Sequence, residues 1–142
     1  MKISRVLASV DPWRRLGYRS EQLFNYLVRH DPALKRYAVK VSDDTAGVVC
    51  VRFPWLIGPF NELLAIFDVH QGKGLGREVM NWMEQAYRPL ARNLWTTVSS
   101  FNTRARQFYD SIGFSETAVL NDLVADGNDE ILLRKRLAAP LR

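Results

Sequence analysis

The stretch from Asn61 to Pro89 constrains the fold most strongly, because it places a buried strand, a glycine-rich loop and an amphipathic helix in direct succession. The segment NELLAIFDV (61–69) is almost continuously apolar, which is typical of a strand covered on both faces. The loop HQGKGLG (70–76) follows, and apolar residues then recur at helical spacing until Pro89. Such a unit is typical of α/β folds, in which the helix leads to a parallel neighbouring strand.

The rest of the chain fits this class. We predict a single domain over residues 1–142: a mixed central sheet of six to seven strands, with helices on both faces. The predicted strands are KISRVLAS (2–9), a hairpin of RYAVKV (36–41) and VVCVRF (48–53), the buried segment 61–69, NLWTTVSS (93–100) and two final strands around the turn ADGND (125–129). The predicted helices begin after Ser20, after the glycine loop and near Asn102.

The glycine loop is suited to an anion. Gly72, Gly74 and Gly76 remove side chains at alternate positions, so backbone amides can approach a ligand, and the following helix adds its free amides and positive dipole end. The spacing fits neither the P-loop nor the G-x-G-x-x-G dinucleotide motif. Taken alone, the loop is weak evidence for an anion site, and a plain turn between strand and helix is the alternative.

Charge and composition exclude several classes of protein. The net charge is +5, but the basic residues are scattered among the acidic ones, and no nucleic-acid-binding motif is present. This pattern does not favour a nucleic-acid binder, although it favours acidic ligands. The single cysteine, Cys50, indicates a reducing compartment, so we predict a cytoplasmic protein. No apolar run approaches the roughly 20 residues of a membrane helix.

Two motifs together resemble the GNAT superfamily of acyl-CoA-dependent N-acetyltransferases: LAIFDVHQGKGLG (64–76) and, about 25 residues later, SSFNTRARQFYDSIGF (99–114). The resemblance extends from Tyr37 to Leu137. It implies that acetyl-CoA is the acyl donor, that no metal is needed, and that two parallel strands splay apart to hold coenzyme A. The implied cofactor-binding residues are Leu64, Ala65 and Ile66 for the pantetheine arm, Gln71, Gly72, Lys73, Gly74, Leu75, Gly76 and Arg77 for the pyrophosphate, and Asn102.

The second motif implies the chemistry. Asn102 and Tyr109 are seven residues apart, so both can face the cofactor from one side of a helix. The resemblance implies that Tyr109 protonates the departing thiolate, whereas packing in an aromatic cluster is the alternative. Some relatives carry an acidic general base where this chain has Thr97. We therefore place Glu62 in that role, on the strand face shared by Leu64 and Ile66; an ordinary charge at a strand end is the alternative. Asp68 is another candidate, and desolvation of the amine could also make a strong base unnecessary.

We expect the early loop and the turn between the last two strands to bind the acceptor. Trp13 and Tyr18 could bind an aromatic, acidic or peptide substrate, and Asp122 could attract a primary amine; loop packing and turn chemistry are the alternatives. The apolar final strands would allow a homodimer. The predicted activity is acetyl transfer from acetyl-CoA to a primary amine of a small molecule or of a peptide or protein N-terminus. A catalytically idle acyl-CoA-binding sensor or scaffold is the alternative that Thr97 permits.

Overall fold

The protein is described by a computed structural model that covers residues 2–137. Six strands form one sheet in the order β1-β2-β3-β4-β6-β5, and every neighbouring pair is antiparallel except β3 and β4. The strands are β1 (Leu34–Val41), β2 (Asp44–Trp55), β3 (Gly58–Ile66), β4 (Asn93–Ser99), β5 (Ser115–Ala125) and β6 (Asn128–Arg136). The predicted α/β class and its mixed sheet are confirmed.

Four helices cover the two faces of this sheet: α1 (Lys2–Ala8), α2 (Ser20–Val28), α3 (Leu75–Tyr87) and α4 (Thr103–Ser111). On one face, α1 and α2 pack over the first three strands around the fully buried Leu7 and Cys50. On the other face, α3 and α4 pack over the centre of the sheet around Met83 and Leu94. Each helix buries one apolar stripe, as expected for a sheet sandwiched between helices.

The first segment differs from its prediction. Residues 2–8 form a helix instead of a strand. Ile3 and Leu7 are four residues apart, which places both on one helical face, and both pack against the core beneath α2. The β-branched residues favour a strand locally, but docking against α2 outweighs that preference.

The parallel strands β3 and β4 are the feature that positions the site. They pair only at Phe60–Trp95 and Asn61–Thr96. Beyond Asn61, β3 continues to Ile66 with β2 as its partner on one edge only. The predicted splay is therefore confirmed, and it leaves one edge of β3 open towards the glycine loop.

Candidate active site

A cleft of about 1560 Å³ opens where β3 and β4 separate. Its walls come from the end of β3, the glycine loop, the first turns of α3 and α4, and the segment around α1. Of the predicted cofactor-binding residues, Lys73 alone is absent from the walls; those that line the cleft are Leu64, Ala65, Ile66, Gln71, Gly72, Gly74, Leu75, Gly76, Arg77 and Asn102.

The glycine loop is shaped to leave backbone amides uncovered. Gly72 and Gly74 adopt φ values of +76° and +80°, a left-handed conformation that side chains disfavour. A Cβ added at either glycine would meet no atom within 4 Å, so the space beside both residues is open. Gly74 also precedes α3 and supplies no side-chain cap to its first turn. The free amides and the positive dipole end therefore suit an anion such as a pyrophosphate.

Gly76 has a different function from its two neighbours. A Cβ at this position would lie 3.2 Å from the ring tip of Phe108 on α4, tighter than an ordinary contact. The third glycine therefore allows α3 and α4 to pack closely beside the cleft.

The open edge of β3 faces the same cleft. The Phe67 amide donates to the Ala46 carbonyl on the β2 side, so the backbone groups of Ile66 point the opposite way. The Gln71 side chain confirms this direction, because its Nε2 donates to the Ile66 carbonyl at 2.8 Å. By the same alternation, the backbone groups of Leu64 face the cleft. An extended ligand could pair with this edge as an added strand.

Tyr109 lies in the cleft wall at the point where the strands separate. Its Oη accepts a hydrogen bond from Asn61 Nδ2 at 3.1 Å, and the same nitrogen donates to Thr96 Oγ1 at 3.3 Å. Burial raises the pKa of Tyr109 to about 12, and hydrogen bonds with Thr96 and Asn61 partly offset this rise. The phenol is therefore protonated at neutral pH, and it can donate its own proton while accepting from Asn61.

Asn61 was not predicted as a site residue. It is 2% exposed and stands in the paired part of β3, directly opposite Thr96. A single amide within an otherwise apolar buried strand is the signal that could have identified it, because buried polar groups require partners.

Asn102 also lines the cleft, and it has a structural role there. Its Oδ1 accepts a hydrogen bond from the Ala105 amide at 3.1 Å, which caps the N-terminus of α4. The cap fixes the start of the helix that carries Tyr109.

The predicted position of Glu62 is wrong. A β-bulge pairs Asn61 with Val51 and Leu63 with Cys50, which leaves Glu62 as the extra residue. Its carboxylate turns to the α2 face, where Arg52 Nε donates to Oε1 at 2.7 Å and the Tyr26 hydroxyl donates to Oε2 at 2.7 Å. The bulge breaks the alternation that would have placed Glu62 beside Leu64, and Glu62 does not line the cleft.

The three predicted acceptor residues lie in three different environments. Trp13 lines the cleft, as does the base candidate Asp68. Tyr18 packs against the core under α1 and α2 instead. Asp122 adopts a φ of +54° and accepts a hydrogen bond from the Gly127 amide at 2.7 Å, so it shapes the β5–β6 turn outside the cleft.

Two negative findings apply to residues 2–137. No group of three or more His, Cys, Asp or Glu side chains in this range is arranged to hold a metal ion. None of the helices in the same range has the length and apolar character needed to cross a membrane.

Comparison with known proteins identifies the class. The family model described as the acetyltransferase (GNAT) family matches residues 3–114, and this chain belongs to that family. No curated protein sequence is significantly similar to it.

Three solved structures illustrate the range of its structural relatives. Nourseothricin acetyltransferase is 25% identical, with a TM-score of 0.69 over 78% of this chain and 69% of that one. The ribosomal-protein-S18-alanine N-acetyltransferase from Escherichia coli is 14% identical, with a TM-score of 0.76 over 99% and 87% of the two chains. An aminoglycoside 6'-N-acetyltransferase complexed with coenzyme A is 13% identical, with a TM-score of 0.76 over 99% and 92%.

Proposed function

We propose that this protein is an N-acetyltransferase that transfers the acetyl group of acetyl-CoA directly to a primary amine within a ternary complex. The observation that carries the proposal is the position of Tyr109. Tyr109 lines the same cleft as the glycine loop, and its protonated hydroxyl contacts Asn61 at the point where the two parallel strands separate.

The glycine loop and the open strand edge would hold the donor. The amides at Gly72 and Gly74 and the first turn of α3 suit the pyrophosphate, and Arg77 lines the cleft beside them to balance its charge. Lys73 is exposed in the same loop and adds positive charge. The backbone groups of Leu64 and the amide of Ile66 would pair with the amide-containing arm of coenzyme A, because Gln71 already bonds the Ile66 carbonyl.

Tyr109 would complete the reaction as a proton donor. Acetyl-CoA supplies the acetyl group as a thioester; the amine nitrogen bonds to the acetyl carbon while the carbon–sulfur bond breaks and sulfur keeps the electron pair. Tyr109 Oη donates a proton to that sulfur, and solvent restores the phenol. A phenol with a pKa of about 12 needs help in this step, and Asn61 provides it by donating a hydrogen bond to the developing phenolate.

No side chain is needed as a strong base in this proposal. The Glu62 carboxylate already accepts hydrogen bonds from Arg52 and Tyr26, and the hydroxyl of Thr97 cannot accept a proton at neutral pH. Transfer into a partly dry cleft lowers the pKa of an amine and favours its neutral form. The proton that the nitrogen releases after attack would leave through Asp68, which lines the cleft. Much of the rate then comes from holding the amine and the thioester together.

The acceptor belongs to one of two groups, a small-molecule amine or the N-terminus of a peptide or protein. The structural relatives act on both kinds of acceptor, as their names state. A second candidate function is an idle acyl-CoA-binding module, which the absence of an acid at Thr97 favours.

A screen of amines and peptides with acetyl-CoA tests the proposal, with acetylated products read by mass spectrometry. The expected result is a mass increase of one acetyl group on at least one class of amine. Binding of coenzyme A is measured in parallel by calorimetry. Tight binding without any acetylated product would support the idle module, and absence of both would overturn the donor site as well.

A further inference from the structure

Two glutamates in this protein are equally buried but differ in their partners. Glu84 and Glu130 are each 7% exposed. Glu84 on α3 forms an ion pair with Lys135 at 2.7 Å. Within residues 2–137, no Lys or Arg side chain pairs with Glu130. A buried carboxylate without a cation is costly, so its presence indicates a use outside folding.

The surroundings of Glu130 hold its carboxylate in one position. Ser99 Oγ donates to Glu130 Oε2 at 2.6 Å, which joins the last residue of β4 to the paired residue of β6. Within the described residues, this is the one hydrogen bond to the carboxylate, so Oε1 is left for another donor. Burial raises the pKa of Glu130, and the bond from Ser99 partly offsets the rise.

The Tyr18 phenol lies within electrostatic range of this carboxylate. Burial raises the pKa of Tyr18, and the negative charge of Glu130 raises it further. The loop that carries Tyr18 is anchored at the end of β4, because the Arg15 guanidinium lies 4.0 Å above the Phe101 ring. A carboxylate that is held by Ser99 and has one oxygen left is a favourable environment for an ammonium group.

The position of Glu130 separates it from the transfer point. Ser99 is three residues beyond Thr96 on β4, about 10 Å along the strand. Thr96 faces Asn61 and the Tyr109 side of the sheet, whereas alternation turns Ser99 to the opposite face. A cation held by Glu130 is therefore a different group from the amine that receives the acetyl group.

We propose that Glu130, held in place by Ser99, binds a second positive charge of a diamine or polyamine acceptor while another amine of the same molecule is acetylated. This inference rests on the proposed N-acetyltransferase activity and names the class of its acceptor. Because the protein carries a net charge of +5, such an acceptor needs a local carboxylate to overcome the general repulsion.

Matched diamines and monoamines test the proposal. The probes are 1,4-diaminobutane to 1,8-diaminooctane and the alkylamines of equal length, with binding measured by calorimetry in the presence of coenzyme A and KM measured with acetyl-CoA. Wild type should prefer at least one diamine to its monoamine by tenfold or more. Glu130→Gln should bind diamines about tenfold more weakly, and its KM for diamines should rise by about the same factor. Its affinity and KM for monoamines should stay within about twofold of the wild-type values.

Glu84→Gln is the matched control, because it neutralises an equally buried carboxylate far from this site. It should leave the preference for diamines unchanged. Thermal unfolding distinguishes the two glutamates further. Glu130→Gln should raise the unfolding midpoint by about 2 °C because it removes a buried charge that has no cation. Glu84→Gln should lower the midpoint because it breaks the ion pair with Lys135. If Glu130→Gln fails to fold, Ser99→Ala carries the same test, because it removes the hydrogen bond that holds the carboxylate, and a selective loss of diamine affinity is expected.

The outcomes distinguish this inference from the function on which it rests. If wild type acetylates amines without preferring diamines, or if Glu130→Gln weakens diamines and monoamines equally, the Glu130 proposal is overturned alone. If wild type binds coenzyme A and acetylates no amine, the proposed activity fails together with the acceptor class.

Discussion

The proposed donor half and the proposed acceptor half of the site are built from different parts of the chain. The donor half uses the backbone of one continuous stretch, residues 64–77: an open strand edge, two left-handed glycines and a helix N-terminus. The acceptor half would use side chains from distant segments: Trp13, which lines the cleft, and Glu130, which lies beyond its walls. A backbone site can stay the same whatever the acceptor is, whereas a side-chain site can change one residue at a time.

Tyr109→Phe should have the largest effect, because this residue lies where the two halves meet. Loss of the proton donor should lower kcat by about 100- to 1000-fold. The dissociation constant of coenzyme A should change by less than about twofold, since the donor half is intact. Steady-state kinetics and calorimetry measure the two values. Tyr87→Phe is the control, because Tyr87 is also buried but does not line the cleft; an equal loss of kcat in both variants would contradict the assigned role.

Gly74→Val should affect the donor half alone. It forces a β-branched residue into a left-handed conformation and fills the open space beside the loop, so coenzyme A should bind about 100-fold more weakly. Gly127→Val is the matched control, because Gly127 has a φ of +77° and open space around it but lies in the β5–β6 turn. Calorimetry with coenzyme A should separate them; similar losses in both variants would mean that general strain is being measured.

Asn61→Leu should reduce the activity by a smaller factor, because Asn61 acts through Tyr109. Removal of the amide donor should lower kcat by about tenfold and raise the pKa of the Tyr109 phenol further. The double variant with Tyr109→Phe should be no slower than Tyr109→Phe alone, since the two residues share one function. Additive losses in that kinetic cycle would indicate that Asn61 supports the fold instead.

The stability at alkaline pH should show the smallest effect. The pKa of Tyr109 is about 12 in the folded protein and about 10 when unfolded, so its contribution is complete below pH 10 and is lost between pH 10 and 12. Chemical denaturation at pH 9 and pH 11 should show that wild type loses about 1 kcal/mol more than Tyr109→Phe over this interval. An equal loss in both proteins would mean that the Tyr109 phenol is not held in its protonated form.

The donor half could be predicted from the sequence because its elements are local. A buried strand, a glycine loop and a helix in succession indicated an anion site. The second motif, with Asn102 and Tyr109, connected that loop to the GNAT family, and the family, the α/β fold and the splayed strands are confirmed. The individual site residues, Tyr109 among them, stay predictions.

The acceptor half could not be predicted in the same way, because it depends on contacts between distant segments. The bulge at Glu62 follows from the register of β2 against β3, which no local pattern reveals. Asp122 looked like an acceptor ligand and is a turn residue, whereas nothing in the local sequence distinguishes Glu130, eight residues later. The burial of Glu130 and its missing cation are visible only once β4 and β6 are paired.

The most direct test of the proposed activity measures two products in one reaction. With an amine identified by the screen, wild type should release free coenzyme A thiol and acetylated amine in equal amounts, and omission of the amine should stop the release of thiol. The Tyr109→Phe variant should slow both products by the same factor. Thiol release at an equal rate without the amine, or no product from wild type that binds coenzyme A, would contradict direct acetyl transfer in this cleft.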